Sequence, residues 1–160
     1  MEDKGRVEDL EVYRKLCHLH IEVSTLTHEW PSFERFELAS QVRRSSNSSP
    51  SQLAEKHDDR HVRNKIEGIN RARNEANETI HHLFIARVKQ YISDDTYSSF
   101  RSRYKRCVRM LNGLERYFEQ QLPPDQRRWP DGRQLTTTDE PPTSTSRPPI
   151  TDHRLPTTDY

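Results

Sequence analysis

At 160 residues, with 26 basic and 25 acidic side chains, the chain has a net charge of +1, a balance that excludes a simple polybasic binder. Its two cysteines, Cys17 and Cys107, exclude a disulfide scaffold and a CxxC zinc pair. No apolar run approaches the ~20 residues of a membrane span, and the charged N-terminus lacks a signal-peptide core, so a cytoplasmic location with no membrane partner is expected.

The first helix is expected over about Glu8 to Glu29. Val12, Leu16, Leu19, Val23, Leu26 and Trp30 alternate four and three residues apart, which is a heptad seam, and Tyr13 and Cys17 widen it. Pro31 ends that helix, because the residue before a proline avoids α geometry. Ser32 is the candidate N-cap of a second helix over Phe33 to Glu55. Phe36, Ala39 and Val42 lie on one side of it. Arg43 and Arg44 follow, and then a run of five serines with Asn47 and Pro50 reads as a polar break in its middle.

The third helix is expected over Val62 to Gln90, with a seam of Val62, Ile66, Ile69, Ala76, Ile80 and Leu83. Arg73 stands where that seam calls for an apolar residue. A buried arginine needs a carboxylate, and Glu55 is the candidate partner. Gly68 reads as a local cost of about 1 kcal/mol against alanine. Ser93, followed by Asp94 and Asp95, opens the fourth helix as a cap with acids at the positive helix end. Tyr97, Phe100, Tyr104, Cys107, Leu111, Leu114 and Phe118 form the cleanest seam in the chain, and Pro123 and Pro124 close it.

Residues 123–160 hold eight of the ten prolines, many threonines and few aliphatic residues. Such a segment buries too little apolar surface to offset its ordering entropy. The expected architecture is therefore all-α: an antiparallel up-down-up-down four-helix bundle over residues 1–122 and a disordered Pro/Thr-rich tail over 123–160.

Several pieces of this chain, in order and in register, carry a resemblance. They are DLEVYRKL (Asp9 to Leu16), TLT (Thr25 to Thr27), Pro31, ERFEL (Glu34 to Leu38), QVRRSS (Gln41 to Ser46), PSQLAE (Pro50 to Glu55), Arg60, NRAR (Asn70 to Arg73), YIS (Tyr91 to Ser93) and MLNGL (Met110 to Leu114). Over roughly residues 7–122 the chain resembles the four-helix-bundle proteins encoded by intervening sequences in bacterial 23S rRNA genes. It equally resembles their relatives, the accessory variability determinants of diversity-generating retroelements. It departs from them at Lys56 and Gln90, where glycine is usual, and at Asn74 and Glu75, where small residues are usual. The resemblance implies a homopentameric barrel, an RNA or DNA partner and, for the retroelement relatives, a reverse transcriptase as protein partner. Apolar residues beyond the needs of one core, such as Tyr13, Ile21, Phe84, Ile85 and Val108, suit a protomer interface.

The fourth helix supplies the candidate contact surface. At 100° per residue, Lys105, Arg106, Arg109 and Arg116 fall together opposite the seam, with Arg101 and Arg103 flanking them. From Phe100 to Arg116 there are six basic residues and one acid, Glu115. This is a field for phosphates, or else a solvated face paired with acids of neighbouring helices. Arg43 and Arg44 beside the serine run are second candidates for phosphate contact, with bonding to another helix or protomer as the structural alternative.

The segment His57-Asp58-Asp59-Arg60-His61 superficially resembles a helical HExxH zinc motif, but with the shorter aspartate at the base position and no third ligand. No metal, cofactor or catalytic residue is assigned. The expected function is a non-catalytic nucleic-acid-binding scaffold, accessory to a retroelement reverse transcriptase. The alternative is a structural or ribosome-associated protein encoded in a 23S rRNA insertion, with a protein partner.

Overall fold

The computed structural model describes residues 5–128, which fold into four helices: α1 (Glu11–Thr27), α2 (Leu38–His57), α3 (Val62–Val88) and α4 (Asp94–Glu119). Each helix packs on its neighbours in sequence, and α1 closes the bundle against α4. This is the expected up-down-up-down arrangement, with α2 and α3 sharing the most extensive contact. Single 3-10 turns at Val7–Asp9, Ser32–Phe36 and Pro124–Gln126 lie outside the helices. The tail expected to be disordered lies, from residue 129 onward, outside the described residues.

The seams of α1 and α4 bury as the periodicity demands. Val12, Leu16, Leu19, Val23 and Trp30 meet Phe100, Tyr104, Cys107 and Leu111 in one core. Leu26, Tyr97, Leu114 and Phe118 pack at its edge. At the head of α3, Val62 and Ile66 are only half-buried, and Gly68, Ile69, Ala72, Ala76, Thr79, Ile80, Leu83 and Ala86 form the buried stripe.

Helix α2 differs from the sequence expectation in two ways. It begins at Leu38, and Ser32 caps nothing, because Ser32–Phe36 forms a 3-10 turn. Phe36 is therefore out of phase with Ala39 and Val42, and it is 82% exposed. The buried carboxylate of Glu34 takes over the start of the helix: its Oε2 accepts from the Leu38 N–H at 3.1 Å. The other oxygen accepts from Tyr91 Oη at 2.8 Å and from Lys89 Nζ at 2.5 Å. One side chain thus ties the α1–α2 connection to the α3–α4 connection.

The serine run is also no break. The helix continues through it, and Ser45, Ser46, Ser49 and Pro50 are buried. Serine competes with a helix only while its hydroxyl seeks local backbone. Here each hydroxyl is satisfied without unwinding. Ser45 and Ser46 donate back to the carbonyls of Val42 and Arg43, and Ser49 donates to the Ala72 carbonyl of α3 at 2.7 Å. Thr79 Oγ1 lies 2.8 Å from Ser45 Oγ, and His20 Nδ1 lies 2.8 Å from Ser46 Oγ. Pro50 removes one helical hydrogen bond without ending the helix. The small side chains let α2 and α3 approach closely.

Gly68 belongs to that approach and is more than a local cost. A Cβ there would lie 2.6 Å from Lys56 Cβ and 2.9 Å from the Gln52 carbonyl oxygen. Gly113, in α4, would meet nothing within 4 Å. The same substitution should therefore act in opposite directions. Gly113→Ala is expected to stabilise by about 1 kcal/mol through helix propensity. Gly68→Ala is expected to destabilise by up to about 2 kcal/mol, because overpacking of about 1–3 kcal/mol against Lys56 Cβ and the Gln52 backbone offsets and exceeds the same gain. Urea unfolding of the two variants measures both signs.

The α3–α4 turn is a Schellman closure. Tyr91 N–H reaches the Ala86 carbonyl and Gln90 N–H reaches the Arg87 carbonyl, each at 2.9 Å. Gln90 sits at φ 62°, the left-handed region that favours glycine. The departure from glycine at this position is thus an accepted backbone strain of about 1–2 kcal/mol.

Candidate nucleic-acid interface

Helix α4 presents the candidate surface because its two ends and its seam fix its rotation. Ser93 Oγ accepts from the Thr96 N–H at 3.1 Å, and Asp94 and Asp95 occupy the first turn. The seam turns inward and takes two of the helix's acids with it, since Glu115 and Glu119 are both buried. Burial pushes the Glu119 carboxyl above the usual carboxylate range, with the Glu115 charge adding to the effect. Glu115 accepts from Arg73 Nη1 at 2.5 Å, and the same guanidinium bonds Asn112 and Asn70. The carboxylate that the seam arginine requires is therefore Glu115 of α4. Glu55 is exposed on α2 and, among the described residues, receives a bond only from Ser51, at 3.5 Å.

Beyond the first turn, where Asp94 and Asp95 are exposed, the outer side of α4 is left to its cations. Arg101, Arg106, Arg109 and Arg116 are exposed, and none has a hydrogen-bond or ion-pair partner among the described residues. The two other predicted residues of this helix are occupied. Arg103 forks onto Glu22 of α1, with Nη1 donating to Oε2 at 2.5 Å and Nη2 to Oε1. That bonding holds the Glu22 carboxyl below its ordinary range and raises Arg103. Lys105 Nζ donates to Asn77 Oδ1 of α3 at 2.8 Å and is half-buried.

The second candidate pair divides in the same way. Arg43 is a structural residue, donating to Thr27 Oγ1 at 3.0 Å and to the Arg35 carbonyl at 2.8 Å. It braces the α1–α2 connection. Arg44 is exposed without a partner among the described residues, but it stands on α2, which packs on α1 and α3 rather than on α4. The predicted basic set is thus not one cluster. Four arginines share α4, two cations of α4 tie it to its neighbours, and Arg44 is apart.

Two residues of this face were not singled out from sequence. Tyr117 is 60% exposed, and Gly113 lies one turn before it on bare helix surface. The signal that marks Gly113 is its spacing of four residues from Arg109 and three from Arg116, and Tyr117 follows Gly113 by four.

The zinc-like segment is divided by the fold. His57 ends α2 with its Nε2 2.7 Å from the Gly5 carbonyl oxygen. Asp59 accepts from the His61 N–H at 2.8 Å and from Asn64 at 3.0 Å, which holds its carboxyl below the ordinary range. The two histidines therefore do not share one helical face. Among the described residues no group of three or more His, Cys, Asp or Glu is placed to hold a metal, and no helix is long and apolar enough to cross a membrane.

A family model for the 23S rRNA-intervening sequence protein matches residues 8–113. Among solved structures, the chain is similar to a protein of unknown function from the S23 ribosomal protein family of Bacteroides thetaiotaomicron. The identity is 22%, the match covers 65% of this chain and 97% of that one, and the TM-score is 0.61, a likeness of fold. No curated protein matches.

Proposed function

The chain belongs to the family of 23S rRNA-intervening sequence proteins, and from that membership we propose that it is a non-catalytic, multimeric nucleic-acid-binding scaffold. One observation carries the reading. The outer side of α4 holds Arg101, Arg106, Arg109 and Arg116 exposed and unpaired among the described residues, while Glu115 and Glu119 are buried. A near-neutral chain gains a cationic ridge by sorting its charges between the faces of one helix. A multimer, with five protomers as the resemblance implies, repeats that ridge. Exposed Ile21, Phe84 and Val88 suit the contacts between protomers.

Within this reading the protein works as an accessory to a retroelement reverse transcriptase, a role resting on the resemblance in NRAR and its neighbouring segments. A structural or ribosome-associated role with a protein partner is the second reading. It is favoured by the exposed rings of Phe33 and Phe36. A reverse transcriptase gene beside this gene supports the first, and a position inside a 23S rRNA gene supports the second.

Binding is tested by salt titration. With about 6–10 phosphates contacted per multimer, affinity for RNA or DNA is expected to fall about 10³- to 10⁵-fold between 50 and 200 mM salt. No binding at low salt, with or without the reverse transcriptase, removes the nucleic-acid reading. Light scattering reports the multimer, and a strictly monomeric mass at high concentration removes that part.

A further inference from the structure

The cationic ridge holds one feature that phosphate contact leaves unexplained. Gly113 lies in the interior of α4, on its exposed side, where glycine weakens a helix. Gly68 gives up the same stability to let two helices approach. Among the described residues Gly113 serves no such contact, since a Cβ there would meet nothing within 4 Å. The residues one turn away are Arg109 before it and Arg116 and Tyr117 after it. They frame a bare strip of helix surface, with about 10 Å along the axis between the two arginines. Tyr117 borders the strip and is 60% exposed, its ring edge-on to Phe118 at 5.3 Å and 70°. That contact braces the ring and so lowers the entropy lost when a ligand stacks on it.

We propose that Gly113 and Tyr117 form a base-stacking shelf for single-stranded nucleic acid. An unpaired base lies over Gly113 against the Tyr117 ring, while Arg109 and Arg116 take the phosphates on either side. The inference rests on the phosphate-binding reading of α4 and adds the class of strand it takes. Every base has a π-face, so such a shelf accepts any sequence. In a duplex those faces are already stacked, and the shelf has nothing to receive. Charge favours this occupant over a second copy of the same face, which would bring its own arginines against these.

Fluorescence anisotropy of the full chain tests the shelf with three labelled probes of equal length: a mixed-sequence single-stranded RNA, an abasic strand of the same charge, and an RNA duplex. The base-bearing strand is expected to bind more tightly than the other two. Tyr117→Ala and Gly113→Leu should each weaken it about tenfold, the scale of one lost base–aromatic stack, and leave the abasic strand within about twofold. Tyr117→Trp should restore stacking. If Tyr117→Ala leaves the preference for bases unchanged while wild type still binds all three probes, the shelf is wrong and phosphate contact by α4 stands. If wild type binds no probe, the underlying reading fails and the shelf with it. If Gly113→Leu or Tyr117→Ala changes the multimer mass by light scattering, the strip is a protein interface and the inference is overturned.

Discussion

Reversing three charges with Arg106→Glu, Arg109→Glu and Arg116→Glu is expected to weaken nucleic-acid binding about 100-fold or more at low salt. Each arginine removed abolishes one phosphate contact, and each glutamate added repels the phosphate it replaces. The salt slope for a single strand should flatten by about 2 per protomer engaged, since three contacts count at about 0.7 each. Fold stability should stay within about 0.5 kcal/mol, because the three side chains are exposed and touch no partner among the described residues. The choice of residues matters. Arg103→Glu would set a carboxylate against Glu22, and Lys105→Glu would break the bond to Asn77, so loss of binding in either would be mixed with damage to the bundle. Anisotropy for binding and circular dichroism for melting separate the two effects. Unchanged affinity in a folded triple variant would remove α4 as the contact surface.

Glu34→Ala is expected to cost about 3 kcal/mol of fold stability. Glu34 is 1% exposed, and its carboxylate serves three donors at once: the first N–H of α2, the Tyr91 hydroxyl and the Lys89 ammonium. Hydrogen bonds to a charged group contribute about 1.5–3 kcal/mol, and loss of the shared acceptor leaves donors on two connections unserved. The same carboxylate sets a pH dependence. The Lys89 ammonium, then Tyr91 and the Leu38 N–H, hold its pKa below the ordinary value despite burial. Its contribution is therefore complete above the unfolded carboxylate value of about 4.3, and it is lost as pH falls through the lower folded value. Urea unfolding at neutral pH reads the first effect. A series carried below about pH 4 reads the second, which should flatten in the alanine variant. A loss below about 1 kcal/mol at neutral pH would mean that the two connections hold without this carboxylate.

The fold was legible where apolar spacing alone decides it. The seams of α1 and α4 could be read residue by residue, because large side chains at three- and four-residue steps leave one way to bury them. The middle of helix α2 could not be read this way, because its inner face there is made of Ser45, Ser46 and Ser49, and hydrophobicity gives no sign that a serine is inside. The deciding facts, a hydroxyl reaching Ala72 and a threonine meeting Ser45, lie on another helix. The α2 start failed for the same reason, since its cap is supplied by Glu34 from within a turn and Ser32 plays no part. At the candidate interface, angular position on α4 placed Arg106, Arg109 and Arg116 outward as expected. It could not foresee that Glu22 and Asn77 would take Arg103 and Lys105, because those partners come from α1 and α3. Gly113 and Tyr117 went unread because one glycine and one tyrosine carry no pattern until the empty space between them is known.

The hydroxyl-lined contact between α2 and α3 has a thermal consequence. Unfolding hydrates apolar groups, which raises the heat capacity, and polar groups, which lowers it. In this bundle the most extensive helix contact buries Ser45, Ser46, Ser49 and Thr79 where larger apolar side chains are usual. The heat-capacity increment of unfolding is therefore expected to fall at or below the low end of the ordinary range of about 12–15 cal/mol/K per residue. A smaller increment gives free energy less curvature against temperature. Calorimetry of the bundle should show that flatter dependence as a small heat-capacity step on unfolding.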